Sequence, residues 1–102
     1  DALPHLRIVT ADAFAWVATC DQRYDTICVD LYVAGKLAHG ALAPAFLRDL
    51  RRLLTPRGEV TFNLWRSAWL TDQLRRIERV FGVVALVEAD DNVIVHAAPR
   101  HD

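Results

Sequence analysis

The chain has 102 residues, of which 53% are hydrophobic and 25% charged, with a formal net charge of −1. That composition excludes a disordered chain, and the near-neutral balance gives no electrostatic case for nucleic acid or an anionic membrane as a partner. No apolar run approaches the ~20 residues that cross a bilayer, and the length suits one domain with one core, small for an enzyme that carries a cofactor.

Cys20 and Cys28 form no CxxC pair and have no His-rich partner motif, so they read as reduced thiols of a cytoplasmic protein, with Cys28 filling the core. The chain opens on Asp1 rather than Met and is read as a piece of a longer protein.

Leu6-Arg7-Ile8-Val9-Thr10 reads as a short first strand. Asp12 is placed to cap a helix over residues 13–19, because its carboxylate can accept an amide proton two or three residues on. Phe14, Val17 and Ala18 share one face of that helix. Residues 24–30 are an apolar run that ends on a carboxylate, the pattern of a parallel strand buried on both faces. Residues 31–43 form a long connection with Gly35, Lys36, His39 and Gly40, and Pro44 opens a second helix at the first-turn position that proline tolerates. Phe46, Leu47, Leu50, Leu53 and Leu54 recur at helical spacing, while Arg48, Asp49, Arg51 and Arg52 cover the wet face.

A turn over Thr55-Pro56-Arg57-Gly58 then leads into a strand over residues 59–64. Ser67 or Thr71 opens a third helix whose stripe is Leu70, Leu74, Ile77 and Phe81, with Gly82 as its C-terminal cap. Residues 83–88 and 92–98 are β-rich and separated by Ala89-Asp90-Asp91, which predicts a hairpin. The order strand, helix, strand, helix, strand, helix, strand, strand predicts an α/β fold. Its sheet is mainly parallel, with a C-terminal antiparallel hairpin and helices on the sheet faces.

In open parallel sheets the ligand crevice lies beyond the carboxyl ends of the strands, which puts Asp30 where chemistry takes place. A carboxylate there can accept a proton from an attacking amine, or else cap nearby loop amides. Tyr32, Lys36 and His39 lie in the connection that would roof the crevice. Trp16, Trp65 and Trp69 are large packing groups that can also line a pocket. His96 falls inside a strand and reads as a satisfied or edge histidine, and no metal site is expected. The arginines of the later helices read as solvated faces.

Four local features, Thr10-Ala11-Asp12-Ala13, Tyr24-Asp25-x-Ile27-x-x-Asp30, Leu42-x-x-x-Phe46 with Leu54-x-Pro56-x-Gly58, and Asn63-Leu64 with Ser67-x-Trp69-Leu70, occur in this order along nearly the whole chain. Together they resemble the second half of a class I S-adenosylmethionine-dependent methyltransferase fold. More narrowly, they resemble its spermidine synthase (polyamine aminopropyltransferase) branch.

The resemblance implies a single domain over residues 1–102, the C-terminal portion of a Rossmann-like cofactor-binding domain whose Gly-rich N-terminal half is absent. It implies adenine contact by Asp12 with Ala13, catalysis by Asp30 and substrate contact by Tyr32. The implied cofactor of the complete protein is S-adenosylmethionine or its decarboxylated form. The implied reaction is methyl or aminopropyl transfer to a small-molecule amine or similar nucleophile.

Val33 stands where aminopropyltransferases carry a second acid, and the four glycines form no GxGxG array. The expected partner, beyond the small molecule, is a second copy or the missing N-terminal half. The alternatives are a non-catalytic α/β module, degenerate or truncated and serving in assembly, and, ranked lower, a nicotinamide-binding Rossmann half or a receiver-like fold.

Overall fold

A computed structural model of the chain describes residues 13–33, 35–38 and 40–100. The strand expected at residues 6–10, the Asp12 cap and His39 lie outside the described residues. Helix α1 (Ala13–Thr19) leads to strand β1 (Tyr24–Val29), followed by two short strands, β2 (Tyr32–Val33) and β3 (Lys36–Leu37). Helix α2 (Pro44–Arg52), strand β4 (Leu54–Trp65), helix α3 (Leu70–Glu78) and strands β5 (Phe81–Glu88) and β6 (Asn92–Pro99) complete the order.

The main sheet has the order β1-β4-β6-β5, and β2 pairs with β3 in a separate ribbon. β1 and β4 are parallel, while β6 lies antiparallel between β4 and β5. β1, β4 and β5 therefore run one way and β6 alone is reversed: the sheet is mixed, with one parallel and two antiparallel ladders, and ends in the antiparallel hairpin that the sequence predicts. The hairpin turns tightly: Ala89 N–H donates to Asn92 O at 2.9 Å and Asn92 N–H donates back to Ala89 O at 3.2 Å.

One face of the sheet holds the core. Val60, Phe62 and Leu64 of β4 sit opposite Ala97, Val95 and Val93 of β6, and all six are buried. Val17 of α1, Phe46, Leu47 and Leu50 of α2, and Ile77 of α3 join the same cluster. Side chains alternate across a strand, so the intervening residues point the other way. Thr61, Asn63, Ile94 and His96 on that second face are only half-buried, and Thr26 and Cys28 of β1 are exposed. β1 is thus covered on one face rather than two, and Cys28 lies outside the core. Ile27 and Val29 pair with Val60 and Phe62 and pack against the core from the other parity.

The helices follow their apolar stripes. Pro44 occupies the first turn of α2, which needs no amide donors there, and its N-cap Ala43 has the extended backbone of a helix entry. On α1, Val17 is buried and Phe14 meets Phe46 edge-on at 4.8 Å, while Ala18 is exposed. Arg52 of α2 donates to the carbonyls of Val17 at 2.7 Å and Cys20 at 2.6 Å, satisfying the orphan acceptors at the end of α1.

Three boundaries differ from the sequence reading. β4 starts at Leu54, and its pairing with β1 jumps from Leu54 to Glu59 while β1 advances from Tyr24 to Thr26. The four residues from Thr55 to Gly58 form a bulge, where proline's missing donor costs no ladder bond. A Cβ on Gly58 would stand 3.1 Å from Leu54 Cδ2 and from the Thr55 carbonyl, so the bulge closes tightly on a glycine. α3 ends at Glu78, and Phe81 and Gly82 belong to β5 instead of to the helix stripe and its cap. The connection over residues 31–43 is not bare loop, since it contains the β2–β3 ribbon.

Phe62 is 1% exposed and contacts Phe81 at 6.0 Å between ring centroids. Phe62→Ala is expected to cost ~3–5 kcal/mol through lost burial and the cavity left behind. Val84→Thr, at a position 66% exposed, should stay within ~0.5 kcal/mol. Urea denaturation of the two variants checks the contrast, and equal midpoints would contradict the one-faced core.

Candidate functional site

Asp30 follows the last residue of β1 and Asn63 lies near the end of β4, so the two parallel strands deliver both side chains to the same edge of the sheet. Asn63 Nδ2 donates to Asp30 Oδ2 at 3.2 Å, and Asn92 Nδ2 donates to Asn63 Oδ1 at 2.7 Å. An ionised carboxylate only accepts, so it draws the NH2 end of the Asn63 amide and leaves Asn63 Oδ1 to accept from Asn92. Asp30 is exposed, and among the described residues its Oδ1 has no hydrogen-bond donor. The carboxylate is thus held at one oxygen and open at the other, the arrangement a proton acceptor requires.

Beyond Asp30 the chain folds back as the β2–β3 ribbon, with Gly35 at a φ of 79° in its turn. That left-handed backbone favours glycine, which has no Cβ to clash. Ala38 N–H donates to Leu31 O at 2.7 Å and closes the ribbon's base. Tyr32 fastens it to the sheet in two ways. Its ring stacks on Trp65 with centroids 4.3 Å apart and planes 5° apart, and its hydroxyl oxygen accepts the Trp65 backbone N–H at 2.8 Å. Trp65 ends β4, so this bond takes up a donor at the strand's end.

The ribbon, the end of β4 and the start of α3 enclose a cavity of about 380 Å³ lined by Tyr32, Lys36, Trp65, Ser67, Trp69 and Gln73, among others. Trp69 is 70% exposed and Trp65 is 40% exposed, so both present apolar surface at the rim. Ser67 Oγ accepts the Trp69 N–H at 3.1 Å and shapes the entry to α3. Gln73 Oε1 is buried without a hydrogen-bond partner. Arg66 is engaged elsewhere, paired with Glu88 at 2.9 Å and donating to the Asp90 carbonyl at 3.2 Å.

Of the site residues read from the sequence, the structure places Asp30 and Tyr32 at one edge, two residues apart in the chain. Asp30 is not among the residues that line the cavity. Asp12 lies outside the described residues, and Ala13 is the first residue of α1. Neither Asn92 nor Gln73 carries a sequence signal that marks it as a site residue. Asn92 follows the acidic turn and looks like a turn residue, and Gln73 sits on a helix with no motif around it. His96 is satisfied, with Nδ1 2.6 Å from Glu59 Oε1, and lies on β6 inside the sheet instead of at an edge. Among the described residues, no group of three or more His, Cys, Asp or Glu side chains is arranged to hold a metal, and no helix is long and apolar enough to cross a membrane.

Tyr32→Phe keeps the stack on Trp65 and removes only the acceptor, so it is expected to lower stability by ~0.5–1.5 kcal/mol. Tyr32→Ala should lose ~0.5–1.5 kcal/mol more with the aromatic pair. Urea midpoints measure both steps, and a Phe variant as stable as the parent would show that stacking alone holds the ribbon.

No protein-family profile matches the chain, and no curated protein does. Solved structures do match. Human methyltransferase-like protein 13, in complex with SAH, aligns over 92% of this chain and 49% of its own length, at 23% identity and a TM-score of 0.78. A TehB-like SAM-dependent methyltransferase from Corynebacterium glutamicum aligns over 90% of this chain and 55% of its own, at 17% identity and a TM-score of 0.66. Ribosomal protein L11 methylase from Lactobacillus delbrueckii subsp. bulgaricus aligns over 83% and 41%, at 17% identity and a TM-score of 0.63. The chain spans about half the length of the solved structures it matches, and what it carries is the Rossmann-like class I methyltransferase fold.

Proposed function

We propose that the chain is the acceptor-side half of an S-adenosylmethionine-dependent transferase domain, in which Asp30 receives the proton of the attacking nucleophile. The observation that carries this reading is the Asn92–Asn63–Asp30 chain, which holds one carboxylate oxygen and leaves the other open at the carboxyl ends of two parallel strands. The fold of the matched methyltransferases supports it.

The cofactor's own cradle does not fit within these residues. The positive-φ glycines, Gly35 and Gly40, lie in the ribbon turn and in the loop before α2, with no Gly-rich strand-to-helix turn beside β1. Contacts to the methionine and ribose groups therefore fall to a segment outside this sequence. S-adenosylmethionine supplies the electrophilic carbon next to its sulfonium, and this chain's residues supply position and a base.

Methyl transfer is the preferred form. Recognition of a polyamine would use a second carboxylate, and Val33 stands in its place. The cavity between Tyr32, Trp65 and Trp69 adds aromatic surface, which suits a flat or apolar acceptor. The rival reading, a non-catalytic α/β module, draws on the position of Asp30 outside the cavity lining.

Calorimetric titration separates the two readings. The 102-residue chain is expected to bind S-adenosylmethionine no better than millimolar, about 4 kcal/mol of binding free energy. A longer protein that adds the Gly-rich half should bind far more tightly. Low-micromolar binding by the chain alone would overturn the division of labour, and no binding by the longer protein would favour the module.

In that longer protein, Asp30→Asn is expected to lower turnover ~10²–10⁴-fold, the usual effect of a general base. Cofactor affinity should change little. Near-normal turnover across pH would reduce Asp30 to a cap on loop amides.

A further inference from the structure

The opposite end of the sheet carries a different chemistry. Arg23 precedes β1, Thr55 and Pro56 lie at the start of β4, and Arg100 follows the end of the reversed strand β6. All three elements reach the edge away from Asp30, roughly 20 Å off along a six-residue strand. A cleft of about 460 Å³ opens there, lined by Arg23, Arg48, Arg51, Arg52 and Arg100 with Thr55, and otherwise by apolar side chains. Among the described residues no Asp or Glu lines it. Of the described acids nearby, Asp49 pairs with Arg52 at 3.6 Å, and Asp25 accepts from the neutral Thr55 hydroxyl at 2.7 Å.

The five guanidinium groups are not equivalent. Arg52 is committed to the carbonyls of Val17 and Cys20, and Arg23 Nη1 to the Leu54 carbonyl at 3.1 Å. Arg100 uses only Nε, donating to Phe81 O at 3.2 Å, and its two terminal nitrogens are unspent among the described residues. Arg48 and Arg51 have no acceptor or carboxylate partner among the described residues.

Arg48 stands three and four residues from Arg51 and Arg52 on α2, the spacing at which like charges repel. The helix dipole favours Arg51 and Arg52 in the last turn, but it gives no such support to Arg23 or Arg100. A chain of net charge −1 thus concentrates five of its twelve basic side chains around one concave site, and among the described residues only Arg52 of the five has a carboxylate partner, Asp49.

We propose that this cleft binds a compact polyphosphate group, two or more linked phosphates, at a site separate from the Asp30 edge. Guanidinium groups pair with phosphate oxygens bidentately, and a triphosphate concentrates several negative charges in a compact group that several guanidinium groups can reach together. Nucleic acid is disfavoured because no aromatic residue lines the cleft to stack a base. A carboxylate peptide is disfavoured because it spreads its charges along an extended chain, one per residue at best.

The test is calorimetric titration of the 102-residue chain with pyrophosphate, tripolyphosphate, citrate and a single-stranded RNA 12-mer. Tripolyphosphate is expected to bind with a dissociation constant of order 10–100 μM, more tightly than pyrophosphate, and to weaken as salt rises. Arg48→Ala/Arg51→Ala should weaken it at least ~10-fold while the far-UV spectrum and melting temperature stay unchanged. Arg75→Ala/Arg79→Ala, on the exposed face of α3 and just beyond it, should change affinity less than ~3-fold. Equal losses in the two double variants, citrate as tight as tripolyphosphate, RNA tighter than either, or no binding would each overturn the proposal. None of these outcomes depends on whether the chain serves a transferase.

Discussion

The packing of three helices against a single face of the sheet determines most of what this molecule is. Val60, Phe62 and Leu64 meet Ala97, Val95 and Val93 across the β4–β6 ladder, and the stripes of α1, α2 and α3 close over them. An apolar stripe on a helix and an apolar face on a sheet can each be removed from water only by the other. Once α2 is seated, its C-terminal residues set the positions of their neighbours. Leu53 O receives the Tyr24 N–H at 2.7 Å to start β1, and Arg52 ties off α1. The strand that delivers Asp30 is therefore aligned by the end of the helix that follows it in the chain.

The same packing explains the candidate site. A core that locks β4 and β6 in register also brings Asn63 and Asn92 within 2.7 Å of each other, although 29 residues separate them. Neither amide needs a flexible loop to find its partner, since both lie on strands whose inward neighbours, Phe62, Leu64 and Val93, are buried. Asp30 gains its orientation from this rigid pair. Tyr32 gains its own from the end of β4, where Trp65 offers a ring and a backbone donor together. Rigid elements under a reactive group limit the entropy lost when a substrate is positioned.

Much of this was legible because the signals were local. Pro44 and the stripe of Phe46, Leu47 and Leu50 identify α2 without reference to anything distant, and the acidic pair between two β-rich runs identifies the hairpin. The failures come where local signals are shared between two structures. Phe81 continues the helical spacing of α3 and is also the buried first residue of a strand, so Gly82 looks like a helix cap. The tertiary fold puts Phe81 against Phe62 and settles the competition. Two-residue strands such as β2 and β3 are too short for any periodicity to register. Cys28 is exposed rather than in the core for a different reason: an apolar run is equally consistent with one covered face or two, and only the packing partners distinguish them. Asp30 was readable from its place at a strand end, whereas Asn63, Asn92 and Gln73 become site residues only through contacts made by the fold.

Strand direction also separates the two ends of the sheet chemically. Because β1 and β4 are parallel, a helix must carry the chain back between them, so the helix-to-strand connections gather at the amino end. At the carboxyl end the chain wanders from Leu31 to Ala43, with room for a ribbon, a cavity and polar groups on display. At the amino end the connections are short: Leu53 alone joins α2 to β4, and four residues join α1 to β1. Short connections force the ends of α1 and α2 close together, and the exposed carbonyls there call for cationic donors. Arg52 and Arg23 answer that need directly. Arg48 and Arg51 gather at the same edge with no acceptor among the described residues, and Arg100 spends only Nε, on the Phe81 carbonyl. A basic cleft beyond what the fold's own carbonyls demand is the surplus from which a ligand site can be argued, and it lies where the parallel topology keeps it clear of the carboxylate end.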